Sequence, residues 1–143
     1  MKTSITACLF AFTLAGCLTQ PPGAERMADN QVPPARIYIA EMTRPGPNLA
    51  EVKFSRISTF INGNTPLELA INDVVLAQML SGEHMSIWLK PGTSYTFSVK
   101  PVHSLNSPTY PETQKLTMDL KDPATYKVRI SANVKGLTLQ QEN

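Results

Sequence analysis

Seven short runs of this chain alternate apolar and polar residues with a period of two, and that period constrains its fold more than any other feature. Ile37 and Ile39 share one face of "ARIYIAEM", Val52 and Phe54 one face of "EVKFSRIS", and Leu67, Leu69 and Ile71 one face of "PLELAIND". Met85, Ile87 and Leu89 alternate with His84, Ser86 and Trp88 in "HMSIWLK", and Tyr95, Phe97 and Val99 alternate with small polar residues in "SYTFSVK". "KLTMDLK" and "TYKVRISA" repeat the pattern through Leu116, Met118 and Leu120 and through Tyr126, Val128, Ile130 and Ala132. Successive side chains of a strand point to opposite faces, so each run offers one face to a core and one to water. A helical period conflicts with nearly all of them. The exception is "DVVLAQML", Asp73 to Leu80, which fits one short helix or a strand with a bulge.

Turn-forming residues separate the runs: "RPGPN" at 44–48, "NGN" at 62–64, "SGE" at 81–83, "KPG" at 90–92 and "KDPA" at 121–124. About seven half-apolar strands with such punctuation predict an all-β fold, an antiparallel β-sandwich of immunoglobulin-like or transthyretin-like type, with a small barrel as the alternative. With 143 residues there is room for one such domain.

The first 34 residues follow a different rule. Lys2 precedes an apolar stretch from Ile5 to Leu14, which is too short to span a bilayer and has the length of a signal-peptide core. Leu14, Ala15, Gly16 and Cys17 then match the lipobox of bacterial lipoproteins, with cleavage expected between Gly16 and Cys17. A thiol is nucleophilic enough to take a thioether-linked diacylglycerol, and small neighbours let a peptidase reach the backbone. Each buried methylene contributes about 0.8 kcal/mol, so two or three acyl chains on Cys17 give a nearly permanent anchor. The resemblance extends to Leu18: an aspartate after the cysteine commonly retains lipoproteins at the inner membrane, so leucine favours the outer one. The other cysteine, Cys8, leaves with the leader, and the mature domain then has no disulfide to rely on.

Residues 1–16 therefore read as a lipoprotein signal peptide and 35–143 as the sandwich. Between them, 17–34 carries the lipidated cysteine and a tether rich in Gln, Pro, Gly, Ala and Asn. A flexible segment of about 17 residues has an rms span of roughly 20–25 Å. A formal net charge of only +2, with no cluster of Lys and Arg, excludes an electrostatic nucleic-acid surface.

The order "ARIYIAE", "LELAINDVVLAQMLSGEHMSIWLKPGTSYTFSVK", "LTMDLKDPATYKVRI" resembles a group of uncharacterised bacterial lipoproteins with a small β-sandwich domain of unknown function. It is also similar to PEGA-type surface domains in the "PG" turn between two strands. Pro91 presets φ and Gly92 permits φ above zero, as a type II turn requires. Where the group has a glycine turn, this chain carries Asn72-Asp73. The resemblance implies fold and location and transfers no catalytic or ligand residue.

Chemistry is sparse. There is no HExxH, GxSxG, phosphate-cradling glycine loop or CxxC pair. His84 and His103 with Glu83 would make at most a weak metal site, and exposed or hydrogen-bonded histidines are expected. Trp88 and His84 lie opposite Met85, Ile87 and Leu89 in the alternation, a candidate contact for a partner, glycan or lipid; a register shifted by one puts Trp88 in the core. Tyr38 is placed similarly beside Ile37 and Ile39. "PVHSLNSPTYPET", 101–113, is the longest loop and brings Tyr110 as a third candidate partner-binding residue. The expectation is a membrane-anchored, non-catalytic lipoprotein of the bacterial cell envelope that binds or assembles with another envelope component, as in a secretion or envelope complex. Its partners would be the lipid bilayer, through acylated Cys17, and an envelope protein, with no metal or cofactor. The alternative is a periplasmic or surface carbohydrate- or small-ligand-binding protein, or a weak metal-dependent enzyme, using Glu83, His84 and Trp88.

Overall fold

A computed structural model describes residues 30–59, 63–102, 113–133 and 136–143. Eight strands form the domain: β1 (Ala50–Arg56), β2 (Leu67–Ile71), β3 (Val74–Met79), β4 (His84–Leu89), β5 (Thr93–Pro101), β6 (Gln114–Leu120), β7 (Thr125–Asn133) and β8 (Gly136–Glu142). They make two four-stranded sheets, ordered β4-β1-β7-β8 and β3-β2-β5-β6, packed face to face. This is the expected sandwich. The order departs from the ABED/CFG arrangement of immunoglobulin domains. All strand pairs are antiparallel except β1 and β7, which run parallel because the chain enters both from the same end.

The strand count is eight rather than seven, through three differences from the sequence reading. Within 73–80, Val74–Met79 form strand β3, the second of the two alternatives read there, and β2–β3 carries its irregularity as a register shift at Leu69/Ala70. β8 was missed, because Leu137 and Leu139 are its only alternating apolar pair in a polar setting. "ARIYIAEM" is not a strand: Pro34–Arg36 and Ala40–Thr43 are 3₁₀ turns, joined by a single bridge from Ile37 to Ala77 of β3. Two successive prolines supply no backbone donors, so the chain closes local turns, Arg36 N–H to Pro33 O and Ile37 N–H to Pro34 O, rather than a ladder.

The core uses the inward face of every strand. Phe54 of β1 meets Phe97 of β5 edge-to-face, centroids 5.2 Å apart, locking one sheet against the other. Val52, Ile87, Val128 and Ile130 from one sheet and Leu67, Leu69, Leu76, Val99 and Leu120 from the other surround them, all buried. Arg56 continues the inward phase of Ala50, Val52 and Phe54 and is only 2% exposed. Its guanidinium Nη1 donates to the carbonyls of Thr65 (2.7 Å) and Met79 (2.6 Å), so a charge in the core ties the end of β1 to the opposite sheet.

The segment before β1 closes one side of the sandwich. Val32 N–H donates to His84 O and His84 N–H to Asn30 O, each at 3.0 Å, covering the start of the β4 edge. Tyr38 N–H then donates to Leu76 O of β3 at 2.8 Å, and Val32, Ile37, Ile39 and Met42 pack on the core between the two edges. Residues 30–34, assigned by sequence to the tether, are thus part of the domain. The prolines at 33 and 34 do not prevent this, because the donors used belong to Val32 and His84. On the other side, β6 and β8 have no outer strand neighbour among the described residues.

Candidate binding cleft

The sandwich has two unlike ends. At one, Ile71 and Val74 are joined by Asn72-Asp73, with φ of 46° and 65°. Two left-handed residues make a type I′ hairpin, and Asn and Asp are the non-glycine residues that tolerate it. Gly92, with φ of 79°, has the conformation the "KPG" turn predicted. At the opposite end β1, β3, β5 and β7 finish, and the N-terminal segment joins the domain there.

At that end lies a cleft of about 600 Å³. One wall is Asn30, Gln31 and Pro33; the others are Ser58 and Thr59 after β1, Gly63 and Asn64 before β2, and Leu80, Ser81 and Glu83 of the β3–β4 turn. Two of these side chains build the walls. Ser81 Oγ accepts from Thr59 N–H at 2.7 Å, joining the turn to the strand extension. Glu83 accepts from Leu80 N–H at 2.7 Å and from both guanidinium nitrogens of Arg36, one at 2.9 Å, and Arg36 also reaches Gln78 O at 3.2 Å. A bidentate arginine–carboxylate pair of this kind fixes orientation as well as charge. It leaves the cleft electrically neutral.

The sequence-predicted residues fall elsewhere. His84 and Trp88 do share the outward side of β4, both half-buried, but they stand four positions apart, about 13 Å along the strand. Trp88 pairs with Glu51 at the end of the sheet remote from the cleft. Glu83 precedes His84 in the chain yet is held by Arg36, so Glu83, His84 and Trp88 do not converge. Among the described residues no group of three His, Cys, Asp or Glu side chains could hold a metal ion. Tyr38 is exposed, on the segment crossing to β3. Gly16, Cys17, His103 and Tyr110 lie outside the described residues.

Beside Trp88 the outer face of β1, β4 and β7 carries a small polar network. Glu51 accepts from Ser86 Oγ at 2.7 Å and Thr125 Oγ1 at 2.9 Å, with Lys53 nearby. The Ser86 hydrogen bond chiefly, then those from Thr125 and the Lys53 charge, hold the Glu51 carboxyl below its ordinary range against the opposing effect of partial burial.

Sequence reasoning missed the cleft because its residues come from three stretches read as tether or turn. The one usable signal was Arg56, a charge in phase with Val52 and Phe54, marking that end of β1 as something other than a plain hairpin.

No protein-family model matches the chain, and no curated protein matches it in sequence. The fold and the cleft therefore carry the functional argument with the sequence.

Proposed function

We propose that this protein is a lipid-anchored bacterial envelope lipoprotein whose β-sandwich binds another envelope component without catalysing a reaction. The observation that carries this reading is the order of Lys2, the apolar stretch 5–14 and Leu14-Ala15-Gly16-Cys17. Leu18 extends it to the outer membrane. The structure supports it mechanically. Backbone bonds from Asn30 and Val32 to His84 and the Arg36–Glu83 pair fasten the N-terminal side of the domain ahead of β1. A domain tugged through its N-terminus needs its first residues tied down in this way.

The edges of β6 and β8, which have no outer strand neighbour among the described residues, would give a protein partner a place to add a strand. β8 is the less guarded, with no Lys or Pro to repel a neighbour, whereas β6 carries Lys115 and Asp119. The test is a photo-crosslinking residue at Gln140 of β8, in the parent chain and in Cys17→Ser, with products recovered from membranes. One defined envelope protein crosslinked only from the anchored parent is the expected result. Identical products from both chains would defeat the proposal.

A further inference from the structure

The polar side chains of the cleft divide into two groups. Ser81 and Glu83 are committed to the walls. The amides of Asn30, Gln31 and Asn64 and the hydroxyls of Ser58 and Thr59 make no hydrogen bond within the described protein. For the exposed amides water suffices. Thr59 is different: its Oγ1 is closed off from solvent and has no partner, an uncommon state for a buried hydroxyl. Thr59 Oγ1 therefore lies behind the wall, whereas the uncommitted side chains of Asn30, Gln31, Ser58 and Asn64, from three separate stretches, meet in a concavity whose volume is that of an ordinary ligand site.

We propose that this cleft binds a neutral saccharide. Side-chain amides offer a donor and an acceptor side by side, the complement of sugar hydroxyls, each of which both donates and accepts. Pro33 and Leu80 supply apolar surface for the C–H face of a pyranose ring. Among the described lining residues the one charged group, Glu83, is paired with Arg36, so they favour neither anions nor cations. An extended peptide is the poorer fit, since it is recognised through a row of free strand-edge groups, and the β4 edge here is already bonded to Asn30 and Val32. The saccharide site itself stands whether or not Cys17 is acylated.

The test is an NMR titration of the full chain in detergent micelles with soluble neutral trisaccharides of gluco, galacto, manno and N-acetylglucosamine type. Saturable shifts are expected for the backbone amides of Gln31, Ser58, Gly63, Asn64 and Ser81 with at least one sugar, while those of Lys115 and Tyr126 stay still. Gln31→Ala and Asn64→Ala should each raise Kd about three- to tenfold, the loss of one or two hydrogen bonds, with thermal unfolding unchanged. No saturable shift with any of the four sugars overturns the proposal. So do shifts centred on Trp88 instead, an unchanged Kd in both variants, or tighter saturation by an extended neutral peptide. Because the readout is local to the cleft, an unacylated Cys17 would refute the anchoring reading without touching this one.

Discussion

At one end of the sandwich, connections β2–β3, β4–β5 and β6–β7 are short turns whose own residues set the geometry, whereas at the other the chain is held by side chains reaching distant strands. Asn72-Asp73 supply positive φ, Gly92 does the same, and Tyr126 Oη bonds the backbone of Asp122 across the β6–β7 turn. At the cleft end Arg56, Ser81 and Glu83 perform the equivalent work over separations of up to 47 residues. Turns set by local chemistry need no partner from a distant strand. Ends joined by reaching side chains leave the room between them that a ligand can use. The two ends thus separate what specifies the fold from what is available for recognition.

The comparison breaks if substitutions at the two ends have similar effects. The largest expected loss is at the cleft end, where Arg56→Met leaves the carbonyls of Thr65 and Met79 buried without their donor. It should lower stability by about 3 kcal/mol in urea titration. A loss under about 1 kcal/mol would mean that the buried charge is not what joins the sheets there. Next, Glu83→Gln removes the charged pair with Arg36 and weakens the bond to Leu80 N–H. About 1–2 kcal/mol is expected, with faster hydrogen exchange at Val32 and His84 as the attachment of residues 30–34 loosens. Loss of stability with no change in exchange at those amides would separate the pair from that attachment.

Turn-end changes should be smaller. Gly92→Ala meets no steric neighbour within 4 Å, so only the positive φ opposes it, and about 1 kcal/mol is expected. Asp73→Gly should be neutral or stabilising by about 0.5–1 kcal/mol, because it relieves a left-handed residue and removes only an exposed ion pair with Lys115. A large loss there would show that the hairpin depends on its side chains after all.

The smallest effect is that of Glu51, outside both ends. Its carboxyl is held below the ordinary 4.5 in the folded chain, so its contribution is complete above that value and disappears as pH falls through the lower folded pKa. Parent and Glu51→Gln should therefore differ in stability at neutral pH and converge in acid. A gap that is constant between pH 7 and pH 3 would contradict this assignment.

How much of this was legible in the chain follows the same division. Six of the seven runs with period two became strands, because alternation and one-sided burial are the same physical fact. Trp88 fell on the outward side of β4 for that reason. The Ile37/Ile39 run misled: two correctly spaced isoleucines do pack on the core, but from a segment whose prolines lack ladder donors. The parallel neighbour of β1 left no trace, since strand order depends on connections between sheets and not on any period within a strand. The turn end could be read from Asn, Gly and Pro. The cleft could not, because polar residues that line a cavity are the same types that face water in turns, and only their convergence from 30–33, 58–59, 63–64 and 80–83 distinguishes them.

Among the measurements open, intact mass of the chain recovered from its membranes bears most directly on the central claim of a lipid-anchored module. The account predicts a species beginning at Cys17 and heavier than the polypeptide by a diacylglyceryl group and its acyl chains, absent from Cys17→Ser. A soluble species of unmodified mass, whether cleaved elsewhere or retaining residues 1–16, would contradict it.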